Sequence, residues 1–146
     1  VSSILEILKP ETAIGAVLVI GMFVSMRFMP RLMAGVPFVE PKAVSELMAG
    51  GKELVILDVR TNEEFQGPLG HVKGAVNLAD MELDKALAAA DKKLGSLKNE
   101  AIFVVCRTQN RSPRAARLLT KAGFSNVAII KGGMISWSKQ DLPVEK

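Results

Sequence analysis

Three uninterrupted apolar runs constrain this chain more than any other feature: Leu54-Val55-Ile56-Leu57, Ala101-Ile102-Phe103-Val104-Val105 and Val127-Ala128-Ile129-Ile130. Continuous rather than alternating apolarity is what a strand covered on both faces requires. Phe38-Val39 and Ala75-Val76-Asn77-Leu78 are shorter strand candidates. Helical patterns fall between them. Pro41 to Met48 is closed by Gly50-Gly51, Asn62 to Phe65 gives a single turn, and Met81 to Leu94 carries Leu83, Leu87, Ala90 and Leu94 along one face. A further helix opens at Ser112 as N-cap with Pro113 behind it, buries Ala115, Leu118, Leu119 and Ala122, and stops at Gly123. A last helical stretch after Gly132-Gly133 carries Trp137, expected to pack at a core edge. Strands alternating with helices predict an α/β fold with a parallel sheet, whose sites form at the carboxyl ends of strands. Asp58 and Cys106 both occupy such ends.

Cys106 is the single cysteine of the chain. It stands where the apolar run 101–105 gives way to Arg107-Thr108-Gln109-Asn110-Arg111-Ser112, which runs into the helix. Nearby guanidinium charge, the N–H groups of a tight loop and a helix N-terminus each favour thiolate over thiol. The expected chemistry is therefore nucleophilic sulfur chemistry at Cys106, against the alternative of a structural core cysteine. Arg114 and Arg117 lie on the outer helix face, where they add positive potential or form an ordinary solvated surface.

The rest of the composition mainly excludes. One cysteine and one histidine permit neither a disulfide framework nor a cysteine zinc site, so no metal or cofactor is expected. A net charge of +4 with one Trp and no Tyr argues against a nucleic-acid surface. The 146 residues suffice for one domain and an appendage, divided at Gly35-Val36-Pro37: residues 1–35 as a hydrophobic helix and 36–146 as the globular domain. Thr12 to Met26 is a run of 15 uncharged residues, which Arg27, Phe28 and Met29 extend. Three readings stand: a membrane anchor over 12–29 with Arg27 snorkelling to the interface, a packed or dimerising helix, and a cleaved signal peptide. Arg27, Arg31 and Lys42 outnumber Lys9, so an anchor would place the globular domain in the cytoplasm. A soluble or an exported protein are the corresponding alternatives.

Four blocks, in order, give the chain from about Phe38 to Trp137 a family likeness. They are Leu57-Asp58-Val59-Arg60 with Glu63-Glu64-Phe65, then Gly70-His71-Val72-Lys73-Gly74-Ala75, the loop Cys106 to Ser112, and Lys131-Gly132-Gly133 with Trp137. With these blocks the chain resembles a single-domain rhodanese. The resemblance implies a five-stranded parallel sheet flanked by helices and a sulfurtransferase activity. In that scheme Cys106 takes a sulfane sulfur from a donor such as thiosulfate and passes it to cyanide, a small thiol or an acceptor protein. Residues 107–112 would hold the donor, with Arg111 shaping the loop and meeting the anion and Arg107 steering the donor. Asp58 and Arg60 would pair or brace the loop, and His71 would be a hydrogen-bonding residue at a turn. Two positions depart from the family pattern. Gln109 replaces a glycine, so its Cβ would strain the loop if the backbone there required positive φ. Lys73 replaces a proline, a surface change.

Two rival functions remain at this level. A cysteine-dependent phosphatase or arsenate reductase would use a wider ring, with one more residue than the four between Cys106 and Arg111. A non-enzymatic rhodanese-like docking module would not need the cysteine and both arginines retained here.

Overall fold

The computed structural model describes residues 14–25, 35–89 and 92–146. Residues 14–25 are helical (α1). The domain that follows runs β1 (Phe38–Val39), α2 (Pro41–Ala49), β2 (Val55–Asp58), α3 (Asn62–Phe65), β3 (His71–Val72), β4 (Val76–Asn77), α4 (Asp80–Ala88), α5 (Lys92–Gly95), β5 (Ile102–Val105), α6 (Ser112–Lys121), β6 (Val127–Ile130), α7 (Gly133–Lys139) and β7 (Val144–Glu145).

Five strands form one sheet in the order β1-β6-β5-β2-β4, with every neighbouring pair parallel. The three apolar runs are its centre. β5 lies between β2 and β6, with Leu57 opposite Val104 and Val104 opposite Ile129. Side-chain alternation along β5 feeds two cores. Ile102, Val104 and Cys106 join Leu83, Leu119 and Phe124 on the side of α4 and α6. Phe103 and Val105 join Val44, Met134 and Trp137 on the side of α2 and α7. This is the double coverage that continuous apolarity predicts.

Several local expectations are refined. The helix expected from Met81 to Leu94 is divided into α4 and α5, and Ala90 of its expected face lies outside the described residues. Leu83 is fully buried, while Leu87 and Leu94 pack against the same core from separate helices. Ser112 is not the N-cap of α6. Arg111 takes that place with φ −86° and ψ −31°, because the loop already adopts helical backbone there, and Ser112 becomes the first helical residue. Trp137 lies deeper than a core edge: it is 1 % exposed, and its Nε1 donates to the Pro143 carbonyl at 3.0 Å. β3 escaped sequence reading, and so did β7. It pairs antiparallel with β3, His71 opposite Glu145, and so ties the end of the chain to the middle of the domain.

In α1 the side chains of Ile14, Val17, Leu18, Ile20 and Phe23 are exposed. Among the described residues no helix is long and apolar enough to cross a membrane, and positions 12–13 and 26–29 of the expected anchor lie outside them. The anchor therefore finds no support in the described helix.

Leu119 of α6 is fully buried against β5 and β6. Leu119→Ala is expected to destabilise the domain by about 2–5 kcal/mol through lost transfer energy and a residual cavity, measured by urea denaturation.

Candidate active site

β5 ends in the middle of the sheet and delivers Cys106, 1 % exposed, to a loop at the carboxyl edge. The loop is seated on the first turn of α7. Met134 N–H donates to the Cys106 carbonyl at 2.8 Å, and Ile135 N–H donates to the Arg107 carbonyl at 3.0 Å. Gly133, the residue before them, has φ +61°, and a Cβ there would run into the carbonyls of Cys106, Arg107 and Thr108. Glycine is the residue that allows both this backbone conformation and this approach.

Those three carbonyls determine where the amides point. In a trans peptide the N–H lies opposite the C=O. With the carbonyls of 106–108 turned towards Gly133, the N–H groups of Arg107, Thr108 and Gln109 face the other side of the loop. Among the described residues none accepts from these N–H groups, nor from those of Asn110 and Arg111. A run of unclaimed amides in a tight loop is a cradle for an anion.

Gln109 does not strain this loop. Asp141 is the one described non-glycine residue with positive φ, so Gln109 keeps an ordinary backbone conformation. Its side chain gains a role instead: Oε1 accepts the Gly132 N–H at 3.0 Å and clips the far side of the loop to the turn before α7. Thr108, Gln109 and Asn110 line a polar cleft of about 370 Å³ together with Lys131 and Ser136. Ser112 is completely buried and its hydroxyl has no hydrogen-bond partner among the described residues.

Arg111 is held by Glu64. Its two terminal nitrogens donate to the two carboxylate oxygens at 2.7 and 2.8 Å, a planar fork-to-fork pair. Glu64 in turn belongs to the capping box that opens α3. Thr61 N–H donates to Glu64 Oε2 at 3.0 Å, and Glu64 N–H donates to Thr61 Oγ1 at 3.3 Å. Chiefly the Arg111 hydrogen bonds, opposed by partial burial and aided by Thr61 and the charges of Arg111 and Arg60, pull the Glu64 carboxyl from 4.5 down to about 2. The same pairing, opposed by partial burial, holds the Arg111 proton more firmly than in free arginine. The guanidinium fork at the end of the nucleophile's loop is thus already occupied by Glu64.

Behind this pair lies a second, buried one. Arg60 and Asp58 are 1 % and 0 % exposed. Arg60 Nη2 donates to Asp58 Oδ2 at 2.7 Å and to the Gly70 carbonyl at 2.8 Å, and Nη1 donates to the Glu64 carbonyl at 3.1 Å. Asp58 and Arg60 accordingly brace the segment that carries Glu64, not the loop itself. His71 is stacked on Phe65 with ring centroids 3.7 Å apart, and its Nδ1 is 3.0 Å from the Phe65 carbonyl, the structural place expected for it.

Arg107 differs from these residues. It is exposed, has no ion-pair partner among the described residues, and lines a cleft of about 250 Å³ beside the loop. Sequence reading missed Glu64 and Gly133 as site residues. Thr61-Asn62-Glu63-Glu64 displays the capping-box spacing, but nothing local announces a partner 47 positions away. No group of three or more His, Cys, Asp or Glu among the described residues is placed to hold a metal ion.

A family model for the rhodanese-like domain matches residues 40–140, and the chain belongs to that family. It is 34% identical over 102 residues to the adenylyltransferase and sulfurtransferase UBA4 of Candida albicans, covering 68% of this chain and 23% of that protein. The chain spans about a quarter of the length of the first curated relatives it matches. Among solved structures, the human single-domain sulfurtransferase TSTD1 superposes with a TM-score of 0.60 at 26% identity, covering 73% of this chain and 98% of that one. A thiosulfate sulfurtransferase from Pseudomonas aeruginosa superposes with a TM-score of 0.64 at 27% identity over 75% of this chain and 20% of that one. These likenesses support a sulfur-transfer role in general.

The Glu64–Arg111 pair has a pH signature. A carboxyl with a lowered folded-state pKa contributes stability that is complete above 4.5 and disappears as pH falls towards about 2. Glu64→Gln is therefore expected to destabilise the domain at pH 7, with the gap from the parent closing as pH falls below 4.5. Urea midpoints of the two proteins across that range measure it.

Proposed function

We propose that this chain moves a sulfane sulfur from a donor such as thiosulfate to a thiophilic acceptor through a persulfide on Cys106. The observation that carries the proposal is the cradle of unclaimed N–H groups, 107 to 111, in the loop that begins at the nucleophile. The Cys106 thiolate attacks the outer sulfur of thiosulfate. A new S–S bond forms, the bond between that sulfur and the sulfonate sulfur breaks, and its electron pair leaves with sulfite. The amides and the Arg111 charge stabilise the negative charge carried by the bound donor and then by the persulfide. No general base is needed once the thiol is ionised, in keeping with the structural place of His71. The ring closed by Cys106 and Arg111 holds four intervening residues, which suits one added sulfur better than a tetrahedral oxyanion.

We also propose that residues 12–29 carry the domain to the cytoplasmic face of a membrane. This rests on the run of 15 uncharged residues from Thr12, on the arginines just after it, and on the exposed apolar side chains of α1. Vesicle flotation of the full chain tests it. The protein is expected to float with liposomes and to need detergent for extraction. A chain that stays in the aqueous fraction as a dimer overturns the tether in favour of a packed helix, and a shortened chain in an extracytoplasmic fraction identifies a signal peptide.

The sulfur-transfer reading is tested by incubation with thiosulfate and mass spectrometry. One added sulfur is expected on the Cys106 peptide, with thiocyanate appearing on addition of cyanide. Cys106→Ser should abolish both. Arg111→Ala should slow cyanolysis by about tenfold or more, the effect of losing one charge-stabilising group, and Arg111→Lys should recover part of it. Absence of any labelling in the parent protein would instead favour a docking module.

A further inference from the structure

The cleft of about 250 Å³ beside the loop is lined by Arg60, Glu63, Glu64, Pro68, Leu69 and Arg107. Four of these side chains are charged, and two are already committed. Arg60 is spent on Asp58 and on the Gly70 and Glu64 carbonyls, and Glu64 on Arg111 and Thr61. Glu63 and Arg107 remain, both exposed and neither with an ion-pair partner among the described residues. One free carboxylate, one free guanidinium and an apolar wall of Pro68 and Leu69 therefore border a single cleft, next to the loop that begins at Cys106. Such a balance offers a dianion one attraction and one repulsion. It offers a molecule carrying both signs two attractions.

We propose that this cleft receives the sulfur acceptor, and that the acceptor is a small zwitterionic thiol of the amino-acid type, its carboxylate on Arg107 and its ammonium on Glu63. The inference rests on the sulfur-transfer reading above and adds the acceptor class to it. In the step concerned the acceptor thiolate attacks the outer sulfur of the Cys106 persulfide. The S–S bond to Cys106 breaks, its electron pair returns to Cys106 as thiolate, and the proton given up by the acceptor thiol ends on the sulfur that travels. Glu63 is then a specificity-determining residue, and Arg107 serves the acceptor as well as the donor.

Four thiols of similar size separate the charges: cysteine, cysteamine, 3-mercaptopropionate and 2-mercaptoethanol. The full-length protein is loaded with thiosulfate and the Cys106 persulfide is quantified by mass spectrometry. Its discharge by each thiol is then timed at equal thiolate concentration. Cysteine is expected to be the fastest acceptor. Glu63→Gln should lower the cysteine to 3-mercaptopropionate rate ratio by about fivefold, the size of one partly solvated ion pair, and Arg107→Gln should lower the cysteine to cysteamine ratio similarly. Glu63→Lys should turn the preference towards 3-mercaptopropionate, and added salt should weaken all of these effects. Loaded protein that discharges to all four thiols at one rate, or Glu63 variants that leave the ratios unchanged, overturn the cleft assignment. Failure of the parent to load would contradict the sulfur-transfer reading instead.

Discussion

The buried ion pair of Asp58 and Arg60 is the interaction on which the arrangement of this site depends. A guanidinium 1 % exposed must have its charge met and its N–H groups satisfied inside the protein. Asp58, at the end of β2, meets the charge, and the Gly70 and Glu64 carbonyls take remaining donors. Three segments that would otherwise be loosely related, the end of β2, the short helix α3 and the turn before β3, are thereby fixed to one side chain. Loss of one partner would leave an uncompensated buried charge, at a cost of about 3–5 kcal/mol. The consequence for function is indirect. The pair positions α3, α3 positions Glu64, and Glu64 holds Arg111 at the end of the nucleophile's loop.

The loop itself is shaped from two sides. Glu64 grips its last residue through Arg111, while the first turn of α7 receives its carbonyls and Gln109 clips it to Gly132. Turning the carbonyls inward is what leaves the amides outward, so the cradle is a product of the seat beneath it. Gly133 is where the two requirements meet, because three carbonyls converge on the position that a Cβ would occupy. The charges then divide by role. Arg111, paired and partly buried, supplies a fixed local field, whereas Arg107, exposed and without an ion-pair partner among the described residues, is available to ligands.

Much of the fold was legible because its signals are local. Four-residue apolar runs are strands buried on both faces, the 3.6-residue period of Ala115, Leu118, Leu119 and Ala122 is a helix on that sheet, and Cys106 follows the central run directly. The misjudged parts had weak local signals or depended on distant contacts. Two-residue β7 has no pattern of its own and exists through pairing with β3. Whether glutamine in place of glycine at position 109 strains the loop was not legible, because it turns on a backbone angle that is set by the docking of the loop on α7.

The sequence by itself determined the chain order of the five strands of the main sheet, the placement of Cys106 at the end of a buried strand, and the size of the ring that Arg111 closes. These are properties of chain spacing, fixed by covalent geometry and by the burial of apolar side chains. Only the tertiary structure decided which charges are taken and which are free. That Arg111 belongs to Glu64 while Arg107 and Glu63 have no ion-pair partner among the described residues depends on angstrom-scale positions of groups as far as 47 residues apart. Hydrogen bonds and ion pairs act through such distances and directions, so their assignment is settled when the segments meet in space.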